Sequence, residues 1–285
     1  VLAAEEAQPK IANTQVLRVY RLAMHIPYST FSRYYFDSKI EKVKTFWADT
    51  EAFLNEMYMR DLGVRFEVVN DERLIIKDAT KETFASTRNA SYVKDNSTIV
   101  INSLIGENSY DVGISLVFTS SQKKGIRGLA YLEGVYQPNT KADAVAVLTK
   151  EVIAHEIGHL FGGRHTFGSH KGSTAYDSEK TELGSGTSVM SYGSPRDFFS
   201  LSSIERIRKR LTQVPAKAQD KTFATQAPHI DRSKLKNHYT IPKGTFFQFY
   251  IPATDPDSSV LLYAVNQHDV RNGAETPITQ YAIYK

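Results

Sequence analysis

The sequence predicts an α+β chain in which a sheet packed with long helices is followed by a small all-β module. Strand-like and helix-like hydrophobic periods alternate from residue 16 to residue 160. A polar, proline-bounded stretch at 215–228 then breaks the texture, and only short strand-like runs separated by turn residues follow it. With 285 residues, 41% hydrophobic and 23% charged, the chain has the apolar material for a sizeable core.

Residues 16–24 are rich in strand formers and read as the first strand. Ile40, Val43, Trp47, Leu54, Met57 and Tyr58 recur at three- and four-residue spacings without Gly or Pro, predicting a long amphipathic helix that Gly63 stops. Residues 64–69 alternate as a second strand, 74–77 form a shorter extended piece, 98–105 suit helix or strand, and 110–119 read as a strand. Three glycines among Leu, Tyr and Val make 125–136 an irregular edge strand. Residues 142–160 are expected as a second long helix with Val145, Leu148, Val152 and Ile153 on its apolar side. Ser202 to Glu205 opens another helix as a capping box, so the run Arg206-Ile207-Arg208-Lys209-Arg210 is its solvated basic face. Short strands are expected at 239–241, 245–251 and 260–265, too few for a complete sandwich. The chain therefore either continues in nature or leans this unit on the first domain. Asp255 and Asp257 flank Pro256, where turn chemistry outweighs a calcium site.

Composition excludes several classes. There is no cysteine, hence no disulfide framework, thiolate metal site or cysteine nucleophile, and any metal is held by nitrogen and oxygen. The net charge of +4 comes from interspersed bases and acids, which argues against nucleic acid as a partner. No run approaches the ~18 apolar residues of a membrane span. Val1-Leu2-Ala3-Ala4 lacks both a Met and an export signal, and is expected to be a processed or trimmed end.

Four of the eight histidines fall at positions 155, 159, 165 and 170. The run from His155 to His165 reads H-E-x-x-H-x-x-G-x-x-H. Residues four apart on a helix share a face, so His155 and His159 reach one ion. Gly162 can take a left-handed turn that swings His165 back toward them. Three imidazoles and an open fourth position make a catalytic zinc site, with Glu156 as general base. His170, in a polar stretch, reads as a loop residue.

These residues resemble the metzincin metalloendopeptidases, specifically the adamalysin or reprolysin branch and its bacterial members. Gly186 to Tyr192 resembles that clan's methionine turn, and the likeness implies that Met190 lies beneath the imidazoles. Gly128-Leu129-Ala130-Tyr131 resembles the edge strand that pairs with an extended peptide, implying substrate contacts at Gly128, Leu129 and Ala130. Tyr192 resembles a tyrosine that approaches the zinc in astacins and serralysins, as oxyanion partner or fifth ligand. The adamalysin-like edge strand favours packing for it instead. Thr166 departs from the branch, which typically carries Asp after the third histidine. The resemblance implies a zincin-like catalytic domain with a twisted mixed β-sheet at 16–212. Around it are expected an N-terminal extension at 1–15, a linker at 213–232 and the small, incomplete β module at 233–285. The expected function is a secreted or cell-surface zinc endopeptidase acting on internal bonds of protein or peptide substrates with one ion. The rival is a catalytically silent zinc-binding homologue serving adhesion or recognition, and retention of Glu156 speaks against it.

Overall fold

The computed structural model describes residues 16–33, 35–118, 125–168, 178–236, 238–257, 260, 261 and 263. Strand β1 (Val16–His25) lies between β2 and β3 in a sheet of the order β2-β1-β3-β5-β4. β2 (Val64–Val68), β1, β3 (Val112–Leu116) and β5 (Ala144–Ala146) run parallel to one another, and β4 (Gly128–Ala130) pairs antiparallel with β5. The sheet is thus mixed, with an antiparallel edge, as the α+β expectation required.

A short helical turn, α1 (Tyr28–Phe31), precedes α2 (Ile40–Leu62), which Gly63 ends at a φ of 68°. α2 packs on β2, α4 (Lys150–Leu160) and α5 (Leu201–Leu211), while α3 (Ala90–Ile105) packs on β3, β4 and β5. β3 shows how the two-residue period serves both faces. Val112, Ile114 and Leu116 join the main core, whereas Ser115 turns to Ser97 of α3, with their hydroxyl oxygens 2.8 Å apart. Gly113 lets α3 approach: a methyl there would stand 3.1 Å from Ile101 Cδ1. Residues 98–105, open to either reading, are therefore helix. The piece at 74–77 is a single bridge from Ile75 to Ile26 after a helical turn at Glu72–Leu74.

The expected helix over 142–160 is corrected. Residues 144–146 are β5, and the helix starts only at Lys150. Ala144 and Ala146 face the main core while Val145 joins Ala90 and Val93 of α3, a period of two that alanine's helix preference masks. Asp143 fixes the strand's start by accepting from the Thr98 hydroxyl at 2.6 Å.

Beyond α5 the chain returns to β1. Arg18 donates to the Val214 and Pro215 carbonyls and to Asp220, and β8 (Lys221–Thr222) pairs with Val16 and Leu17. Strands expected at 239–241 and 245–251 do not form. The described residues there offer no partner for the pattern, leaving Phe246 and Tyr250 89% and 78% exposed. Among the described residues after β8, only β9 (His229–Ile230) and β10 (Ala253–Thr254) pair, and half of 260–265 lies outside the described residues. Among the described residues no helix is long and apolar enough to cross a membrane.

Candidate metal centre

The site grows out of α4. His155 and His159 lie one turn apart, Phe161 caps the helix, and Gly162 turns the chain at a φ of 99°. A side chain there would be strained, which is why glycine stands at this corner. His165 then opens the short strand β6 (His165–Phe167), paired with β7 (Ser178–Glu182).

The three Nε2 atoms converge to 3.2 Å (155 to 159), 3.1 Å (159 to 165) and 3.2 Å (155 to 165). His155 donates from Nδ1 to the Val189 carbonyl and His159 from Nδ1 to the Gly163 carbonyl, each at 2.7 Å. That leaves both Nε2 atoms without hydrogen, so their lone pairs oppose each other rather than share a proton. A cation between them resolves the conflict. Two nitrogens ~2.0–2.1 Å from a tetrahedral zinc stand about 3.3 Å apart, so the spacing fits that ion. Burial holds both imidazoles neutral, pushing the pKa of His159 down to about 3 and that of His155 well below its ordinary value. Among the described residues this is the only cluster of His, Asp and Glu that converges this way.

Glu156 is 5% exposed and lies against β4, where Gly128 leaves it room: a methyl there would overlap Oε1 and stand 2.6 Å from Cγ. Burial drives its carboxyl well above the usual range, and the Arg196 guanidinium opposes that rise. A dication nearby acts in the same sense as Arg196, favouring the base form. Met190 is fully buried beneath α4, where a methyl on Gly158 would overlap its sulfur. Its carbonyl accepts from the Thr166 amide at 3.2 Å, joining the turn to β6.

Gly128, Leu129 and Ala130 are each partly exposed, on a strand whose only partner among the described residues is β5. Tyr192 lies between Phe167 and His165. Its ring packs on Phe167 at a centroid distance of 4.5 Å, and its hydroxyl lies 3.3 Å from His165 Nε2. His170 lies outside the described residues. Asp255 and Asp257 hold backbone amides, of Asp257 and Gln226, as turn residues do.

Sequence reading missed Glu182, Arg196 and the reason for Gly128. Glu182 is the clearest case. Five donors converge on its carboxylate, and burial, which works against its charge, loses to them, so its pKa falls. Nothing in a single sequence pairs it with Thr166 or Ser191, because the contacts span a segment without readable periodicity.

The match to a known family agrees with this geometry. Residues 47–166 match Metallo-peptidase family M12B Reprolysin-like, a match that ends just past His165. No curated protein matches the chain. Among solved structures it is similar to metalloproteinase-II from Bacteroides fragilis, with 12% identity, a TM-score of 0.44, and coverage of 70% of this chain and 55% of that one. It is also similar to a chain in a chaperone-substrate complex, with 14% identity, a TM-score of 0.43, and coverage of 66% and 31%. The chain thus spans 55% or less of the length of either.

Proposed function

We propose, from the match of residues 47–166 to the reprolysin-like M12B metallopeptidases, that the chain is an endopeptidase cleaving internal bonds of protein substrates with one catalytic zinc. The observation that carries the reading is the convergence of three imidazole Nε2 atoms within 3.1–3.2 Å, one residue from a buried carboxylate. Zinc held by His155, His159 and His165 would supply Lewis acidity, polarising the scissile carbonyl and lowering the pKa of water to about 7. Glu156 takes the proton from the attacking water and delivers it to the leaving amine. β4 receives the peptide as an added strand, its unpaired backbone groups aligning the substrate with little regard for side chains. Tyr192 donates its hydroxyl to the oxygen on which charge develops. A secreted or cell-surface setting and the division into domain, linker and β module belong to the same proposal.

The test is a peptide-library digest with mass-spectrometric mapping, with and without a chelator. Internal cleavages that vanish with the metal are expected, and inertness of zinc-loaded protein on the whole library would sink the reading. Because the ion ties α4 to β6, the chelator should also lower the melting temperature, by a stabilisation of about 4 kcal/mol where free zinc exceeds its Kd ~1,000-fold. An unchanged melting curve, or full zinc content in His155→Ala, contradicts the ligand assignment.

Tyr192→Phe separates the phenol's roles. It keeps the ring against Phe167, so stability and zinc content stay near wild type, while turnover falls by roughly ten- to a thousandfold. Activity within about twofold of wild type would reduce Tyr192 to packing.

A further inference from the structure

β6 and the turn at 187–191 each orient a zinc ligand, and besides the bond from the Thr166 amide to the Met190 carbonyl they converge on one carboxylate. Glu182 Oε1 accepts from the Thr187 amide at 2.8 Å and the Ser188 amide at 3.0 Å. Its Oε2 accepts from the hydroxyls of Ser188 at 2.5 Å, Ser191 at 2.6 Å and Thr166. All three hydroxyls belong to fully buried residues, so the carboxylate is the acceptor around which they are arranged. Both grips lie next to the metal centre. Thr166 follows His165, while residues 187, 188 and 191 bracket Val189, whose carbonyl holds the Nδ1 of His155, and Met190, which supports α4.

We propose that Glu182 is a positioning residue of the zinc site: one carboxylate locks the strand bearing His165 to the turn bearing Val189 and Met190, and so keeps two of the three imidazoles in ligating orientation. This rests on the reading that the three histidines hold zinc. It also accounts for Thr166. The carboxylate is supplied from 182, and the residue after the third histidine needs only a hydroxyl to receive it. An Asp at 166 beside Glu182 would bring two carboxylates onto the same donors and force them apart.

The test is a carboxylate transfer. Zinc affinity is read by competition with a chromogenic chelator, ligand geometry by the visible spectrum of the cobalt-substituted protein, and catalysis by kcat and KM separately. Glu182→Ala should weaken zinc binding by on the order of 10–100-fold and shift the cobalt bands. It should also lower kcat while leaving KM within about threefold. Thr166→Asp alone should weaken zinc as well. Combined, Thr166→Asp with Glu182→Ala should recover affinity and spectrum to within about tenfold of wild type, because residue 166 already stands 2.9 Å from the Ser191 hydroxyl and 3.2 Å from that of Ser188. Additive losses in the double variant overturn the proposal. So does a Glu182→Ala protein that melts earlier yet keeps wild-type zinc affinity and cobalt spectrum. Should Glu182→Ala fail to fold, Glu182→Gln takes its place, retaining an acceptor for the two amides while presenting donors to the hydroxyls, with the same zinc and cobalt readouts. Wild-type protein that binds no zinc at these histidines defeats the ligand reading itself, a result distinct from the others.

Discussion

Glu156→Gln should keep its zinc and lose turnover by on the order of 10³–10⁴-fold. The amide has the shape of the carboxylate, so it fits against Gly128 in the same space, and the three imidazoles and the carbonyls that hold His155 and His159 are untouched. What disappears is the proton acceptor. General base catalysis contributes roughly 10²–10⁴, and here the same group also returns the proton to the amine, which places the loss at the upper end. The measurement pairs kcat on a cleaved library peptide with metal content by mass spectrometry. A variant within about tenfold of wild type would show that Glu156 is not the base. Equal inertness of both proteins would instead favour the silent zinc-binding module.

How much of this was legible in the sequence depends on how local each feature is. Helix geometry fixes His155, Glu156 and His159 within one turn, and a glycine requirement marks the corner before His165, so that part of the centre can be read from eleven consecutive residues. The core helix α2 was equally readable, because a long apolar period and Gly63 mark its course and end. β5 was not. Its three residues are too short to show a period, and Ala144 and Ala146 prefer helix until β3 and β4 flank them. The C-terminal strands failed for the converse reason. Residues 245–251 have strand composition, but a strand needs partners, and the described residues supply none. Glu182 and Arg196 act through contacts that cross elements, where spacing carries no signal.

Gly128→Ala is expected to cripple the enzyme through the residue it displaces. The backbone at 128 is ordinary strand, so alanine brings no conformational strain of its own, and the effect must come from volume. A methyl there overlaps Glu156 Oε1 and lies 2.6 and 2.7 Å from Cγ and Cδ. β4 cannot simply retreat, because Gly128 is paired with Ala146 of β5, whose other edge is bonded to β3. Overpacking of this kind costs about 1–3 kcal/mol when absorbed by the fold. The cheaper escape is a swing of the carboxyl out of its niche. A base displaced by about 1 Å loses on the order of 10²-fold in kcat, while the histidines keep the metal. The competing account holds that Gly128 is small only so that substrate can approach β4, and it predicts a rise in KM with kcat little changed. A double variant decides between them. If Gly128→Ala acts by moving the base, adding it to Glu156→Gln should lower kcat little further, since the moved group no longer carries protons. A KM that rises as much in the double variant as in Gly128→Ala, with kcat unmoved by the alanine in either background, would show that Gly128 serves the substrate rather than Glu156.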